Sequence, residues 1–86
     1  MNKLRTLQRI KQNIPKNTRV NLNTQYTNAN GVTKIWECVY KEYGVLWIDI
    51  IDDSPLGNYA TRAENLNDDE LLDILHHIRK LNLNKN

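Results

Sequence analysis

The spacing of hydrophobic positions changes along the chain, and each spacing predicts a different kind of element. Residues 3–14 carry apolar side chains at intervals of three or four, which is one face of a helix. These apolar positions are Leu4, Leu7, Ile10 and Ile14. Pro15 disfavours helical backbone at the residue before it, so we predict that the helix ends there. From residue 18 to residue 52 the period is two, which predicts strands.

Two turn signals divide this alternating segment into three strands. Asn30 followed by Gly31 is a strong hairpin signal, and a second glycine, Gly44, follows Glu42 and Tyr43. The predicted strands cover residues 20–24, 33–41 and 45–51.

The predicted register follows from keeping apolar residues together on one face. Two three-residue loops, each ending in a glycine, give three continuous rows across the strands. These rows are Val20/Tyr40/Leu46, Leu22/Cys38/Ile48 and Thr24/Trp36/Ile50. A two-residue second loop would place Cys38 opposite Asp49 and mix polar with apolar rows, so we prefer the first register.

The C-terminal part of the chain predicts a loop and then a second helix. Residues 54–66 are polar and contain Pro55 and Gly57, with room for a short edge strand at 58–62. Asn67 and Glu70 have the spacing of a capping box, which predicts a helix start. The predicted buried stripe of this helix is Leu71, Ile74, Leu75, Ile78 and Leu81.

The whole pattern predicts one α+β domain over residues 1–86, with residues 1–2 and 83–86 frayed. The order is α-β-β-β-(β)-α. We expect an antiparallel sheet of three or four strands with both helices packed on one face.

Composition points to the cytoplasm but does not identify a partner. A single cysteine, Cys38, cannot form an internal disulfide, and the charged N-terminus lacks the apolar region of a secretion signal. No apolar run is long enough to span a membrane. Richness in Asn, Ile and Lys is typical of AT-rich coding and fits a small accessory gene, including one of a phage or mobile element.

The chain shows no pattern that indicates catalysis, a metal site or a cofactor. Asp73 and His77 are one helical turn apart, but two ligands do not make a zinc site. In the preferred register Cys38 belongs to the core face, where a thiol is inert packing. The glycines are isolated, so no phosphate-binding loop is present. We therefore expect a protein that is not an enzyme.

The second face of the predicted sheet is the leading candidate for a binding surface. An apolar centre surrounded by polar residues is typical of protein interfaces. The predicted contacts are Ile35, Val39, Trp47 and Ile51, with Asn23, Gln25 and Lys41 as a polar rim. The function predicted is a protein–protein interaction module, an accessory regulator or inhibitor whose partner is another protein or a second copy. Alternatively, a helix or the 54–66 loop covers this face.

Uneven charge gives a second hypothesis. Residues 1–36 carry seven basic and no acidic side chains, whereas residues 37–86 carry ten acidic and five basic ones. A basic surface made of Arg5, Arg9, Lys16 and Arg19 predicts weak binding of nucleic acid through its phosphates. The alternative is that the basic half of the chain neutralises the acidic half.

The element order over residues 3–82 resembles the double-stranded-RNA-binding domain. That family places a lysine cluster at the start of its last helix to contact phosphates across a groove. Here the matching segment reads Asn67, Asp68, Asp69 and Glu70, which repels phosphate. The loop between the second and third strands is also too short to enter a minor groove. The resemblance therefore implies a shared shape and not the activity.

Overall fold

A computed structural model describes residues 2–53, 55 and 57–83 and confirms the α+β order, with a fourth strand present. The elements are α1 (Lys3–Gln12), β1 (Val20–Thr27), β2 (Thr33–Glu42), β3 (Val45–Asp52), β4 (Asn58–Arg62), a 3-10 turn (Ala63–Asn65) and α2 (Asp68–Leu83). Asn2 caps α1 and Leu83 is the last residue of α2, while the fraying of residues 1–2 and 83–86 stays a prediction. Residues 1 and 84–86 lie outside the described residues.

The four strands form one antiparallel sheet in the order β1-β2-β3-β4, and both helices bury their apolar sides on one face of it. The core joins residues of the sheet and both helices: Ile10, Ile14, Trp36, Val39, Leu46, Ile48, Ile50, Leu71, Ile74, Leu75 and Ile78. Leu4 and Leu81, at the outer ends of the predicted stripes, are exposed. Neither helix in the described part of the chain has the length and apolar character that crossing a bilayer requires.

The start of α2 matches the predicted capping box. The backbone N–H of Glu70 donates to Asn67 Oδ1 at 2.9 Å, and Glu70 Oε1 accepts from the backbone N–H of Asn67 at 3.0 Å. The second carboxylate oxygen of Glu70 accepts from Lys34 Nζ at 3.0 Å. Through this contact with Lys34, the capping residue Glu70 also connects α2 to β2.

The predicted register is right at one end of the sheet and wrong at the other. Trp36 lies opposite Thr24 and Ile50, as predicted. The β2–β3 turn, however, has two residues rather than three, so Glu42 pairs with Val45. The predicted rows that contain Tyr40, Leu46, Leu22 and Cys38 are therefore wrong.

A β-bulge between Trp36 and Cys38 accounts for the change of register between the two ends of the β2–β3 pair. Beyond it Cys38 lies opposite Asp49, and Val39 lies opposite Ile48. Because side chains alternate between faces, one extra residue moves the next side chains to the opposite faces. Cys38 therefore leaves the helix-covered face and Val39 enters the core.

β1 has an irregularity of its own. Its pairing with β2 shifts between Asn21 and Thr24, and Asn23 has a φ of 51°. The β1–β2 turn is the predicted three-residue loop, in which the N–H of Asn28 donates to the carbonyl of Val32 at 3.0 Å.

Candidate functional site on the open sheet face

The sheet face opposite the helices is the candidate site, and we call it the open face. No helix of the described residues covers it, since the apolar sides of α1 and α2 belong to the core on the other side. Ile35, Trp47 and Ile51 are partly exposed there, and Ile35 pairs with Ile51 as predicted. Three of the four apolar contacts expected from the sequence thus share one surface.

One row of side chains crosses the open face, and we call it the Arg–Tyr–Trp–Arg row. Tyr40 lies opposite Trp47, and Trp47 lies opposite Arg62. The guanidinium carbon of Arg19 lies 3.9 Å from the centroid of the Tyr40 ring. The guanidinium carbon of Arg62 lies 6.0 Å from the centroid of the Trp47 ring. Two aromatic rings therefore sit between two cations, each in a cation–π arrangement.

Asp49 holds one end of this row in place. Its Oδ1 accepts from the hydroxyl of Tyr40 at 3.1 Å. Its Oδ2 accepts from Arg19 Nη1 at 3.1 Å and from the Cys38 thiol at 3.3 Å. Three donors converge on one carboxylate because the bulge in β2 turns Cys38 and Tyr40 toward the same face as Asp49.

Burial and the contact with Asp49 raise the pKa values of the Cys38 thiol and the Tyr40 hydroxyl. Burial raises the pKa of the Cys38 thiol, and its hydrogen bond to Asp49 raises that pKa further. Arg19 acts in the opposite sense and is outweighed. Burial and the Asp49 hydrogen bond likewise raise the pKa of Tyr40. Cys38 is therefore a hydrogen-bond donor at neutral pH rather than a thiolate nucleophile.

The same cluster contains a set of candidate metal donors. Ligand atoms of Glu37, Cys38 and Asp49 lie within 4.8 Å of one another. Arg19 Nη1 lies 3.1 Å from Asp49 and 3.6 Å from the sulfur of Cys38, so a metal ion would have to displace a guanidinium. The geometry favours an internal ion pair over a metal site.

Two of the predicted partner-binding residues do not lie on the open face. Val39 is 1 % exposed and belongs to the core, so its prediction is wrong. Lys41 points toward α1, where its Nζ donates to the carbonyl of Lys11 at 3.4 Å, so its prediction as a rim residue is also wrong. Gln25 is exposed opposite Ile35, and Asn23 is exposed within the β1 bulge.

The sequence pattern did not place four polar residues of the site on this face: Arg19, Cys38, Tyr40 and Arg62. The available signal was the two-residue turn, which places Cys38 opposite Asp49. That register looked unfavourable because it mixes polar with apolar rows, and the bulge that resolves the conflict has no local sequence mark.

The residues of the predicted basic surface lie on opposite faces of the sheet. Arg5 and Arg9 are exposed on α1, on the helix side. Arg19 stacks on Tyr40 and pairs with Asp49 on the open face. The expectation that Arg19 extends the same surface as the helix is therefore wrong, while Lys16 stays exposed in the connecting loop.

On the helix side, Asp73 has a structural contact. Its Oδ2 accepts from the indole N–H of Trp36 at 2.8 Å and lies 3.4 Å from His77 Nε2. Asp73 therefore satisfies the polar atom of a fully buried tryptophan.

No protein-family model, curated protein or solved structure matches this chain. The resemblance to double-stranded-RNA-binding domains rests on element order alone, and the acidic segment that departs from that family forms the first turn of α2.

Proposed function

We propose that this chain is a protein-binding module without enzymatic activity, and that its partner docks on the open face. The observation that carries the proposal is the Arg–Tyr–Trp–Arg row on a sheet face that no described helix covers. Tryptophan, tyrosine and arginine are the residues most enriched at the energetic centres of protein interfaces. A small accessory regulator or inhibitor in the cytoplasm fits this size and surface.

The charges of the open face favour a protein over a nucleic acid. Arg19 pairs with Asp49 at 3.1 Å, and Arg62 pairs with Glu64 at 3.4 Å. The row is therefore close to neutral overall, whereas nucleic-acid affinity depends on a surplus of cations that neutralise phosphates. Aromatic rings beside paired charges are better suited to a mixed apolar and polar protein surface.

Preorganisation supports the same proposal. Tyr40 is fixed by its hydrogen bond to Asp49 and by the stacked guanidinium of Arg19. Binding costs less when interface side chains are already ordered, because less rotamer entropy is lost. Tyr40 itself is 9 % exposed, so the accessible members of the row, Arg19, Trp47 and Arg62, can contribute to affinity with little rearrangement.

The test compares two variants on opposite faces of the molecule. Trp47→Ala removes the centre of the row, and Leu72→Ala is the control because Leu72 is 44 % exposed on α2. Self-association is measured by light scattering, and partner capture by quantitative pull-down. We expect Trp47→Ala to weaken the affinity of the complex at least tenfold, while Leu72→Ala leaves the affinity unchanged.

Two results would contradict the proposal. One is a complex whose affinity Trp47→Ala leaves unchanged, which would mean that the interface lies on another surface. The other is loss of helical circular dichroism in Trp47→Ala, which would make Trp47 a core residue.

A further inference from the structure

A groove lies at the end of the sheet where the β2–β3 turn projects. β1 pairs with β2 only as far as Val39, so the last residues of β2 extend beyond it. The loop that leads into β1 lies beside this extension. Between them is a cavity of about 610 Å³, bounded by Lys16 and Asn17 on one side and by residues 41–44 on the other. This volume suits a ligand of small-molecule size.

Tyr43 is at the tip of the turn beside this groove, and the residue is 97 % exposed. Its φ is 53° and that of Gly44 is 78°, so both turn residues have left-handed backbone. Such two-residue turns favour Asn-Gly, and a bulky side chain at positive φ is strained. An exposed ring in a strained position adds nothing to the fold, and strain of this kind is a pointer to function.

Cations line the groove. None of the ion pairs between described residues involves Lys16 or Lys41, and the 3.4 Å hydrogen bond from Lys41 Nζ to the neutral carbonyl of Lys11 leaves the charge of Lys41 uncompensated. A smaller groove of about 200 Å³ shares Asn17, Lys41 and Glu42 with the first and reaches Arg19. Glu42 is the one acidic residue that lines either groove in the described part of the chain. The groove thus has a surplus of positive charge that the open face lacks.

We propose that this hairpin-tip groove binds single-stranded nucleic acid. One base stacks on the ring of Tyr43, and Lys16 and Lys41 contact the flanking phosphates. A positively charged groove beside an exposed aromatic ring is the general arrangement by which proteins hold unpaired strands. A duplex fits less well, because its bases are already stacked on one another. The larger groove shares no lining residue with the Arg–Tyr–Trp–Arg row, so this proposal does not depend on the proposed protein-binding function.

The test measures fluorescence anisotropy of a labelled twelve-nucleotide oligothymidine with the full chain in 50 mM NaCl. Tyr43→Asn removes the ring and leaves a residue that the turn favours, so the fold is kept. Stacking of one base is worth about 1–3 kcal/mol, so we expect affinity to fall about 5- to 150-fold. The logarithm of the binding constant falls with the logarithm of the salt concentration by about 0.7 for each phosphate contacted on a single strand. Replacing Lys16 and Lys41 together by Gln removes two such contacts, so the slope should become less steep by about 1.4.

Arg5→Gln is the control, since Arg5 is exposed on α1 outside the groove. It should change affinity less than twofold. The proposal is overturned if no binding occurs in 50 mM NaCl, or if Tyr43→Asn binds as tightly as the unmodified chain. It is also overturned if Arg5→Gln is as harmful as the groove variants, or if polyglutamate displaces the oligonucleotide at equal charge concentration.

Discussion

The two tryptophans lie on opposite faces of one sheet, so replacing each by Ala tests whether the open face is open. Trp36 is 0 % exposed, and its indole N–H donates to Asp73. Trp36→Ala should cost about 3–5 kcal/mol of unfolding free energy, as core aromatic truncations do. Trp47 makes a cross-strand contact with Tyr40 and a cation–π contact with Arg62. These contacts are together worth about 1–2 kcal/mol, so Trp47→Ala should cost only that much.

Urea unfolding followed by circular dichroism measures both costs. With a slope near 1 kcal/mol per molar urea, the midpoint of Trp47→Ala should fall by about 1–2 M. An 86-residue domain has a total stability of about 4–13 kcal/mol. Trp36→Ala should therefore remove a large share of the total stability. Single-tryptophan variants, Trp36→Phe and Trp47→Phe, add a fluorescence readout in which iodide quenches Trp47 and spares Trp36.

The open face is covered if the two Ala variants are equally destabilised, or if the fluorescence of Trp47 resists iodide. Either result would mean that some part of the chain covers the second face. The proposed protein-binding surface would then not exist.

Three further predictions concern single groups. Tyr43→Asn should raise the free energy of unfolding by about 0.5–1 kcal/mol in urea titrations, because Asn accepts positive φ more readily. Asp49→Asn should lower the pKa of Cys38, and Arg19→Gln should raise it, as read from the Cys38 ¹³Cβ signal in NMR titrations. Equal titration midpoints in the two variants would contradict the contacts of Cys38 with Asp49 and Arg19. Burial and a neighbouring carboxylate raise the pKa of Tyr59 to about 12. An unfolded tyrosine titrates near pH 10, so the folded chain keeps a proton that the unfolded chain loses. Stability should therefore fall as pH rises from about 10 to 12, and less steeply in Tyr59→Phe.

Local chemistry made most of the elements predictable from the sequence. The capping box of Asn67 and Glu70 depends on two residues three positions apart, and the structure has both of its hydrogen bonds. The short edge strand at 58–62 matches β4. Such features need no knowledge of distant partners, which is why patterns along the chain reveal them.

The candidate site could not be predicted to the same extent, because it depends on register. The bulge before Cys38 is an extra residue without a glycine or proline to mark it. It decides which of Val39 and Tyr40 faces the helices, and alternation alone assigned both wrongly. Arg19 and Arg62 come from positions more than forty residues apart in sequence, so only the folded sheet brings them into one row.

The irregularity in β1 also bears on how copies of this chain can meet. β1 and β4 are the two edges of the sheet, and a regular edge strand offers its backbone groups to strands of other molecules. The shift in pairing around Asn23 interrupts that ladder, and β4 is only five residues long. Both edges are thus poor templates for sheet growth. Molecules crowded together are therefore less prone to join edge to edge into fibrils.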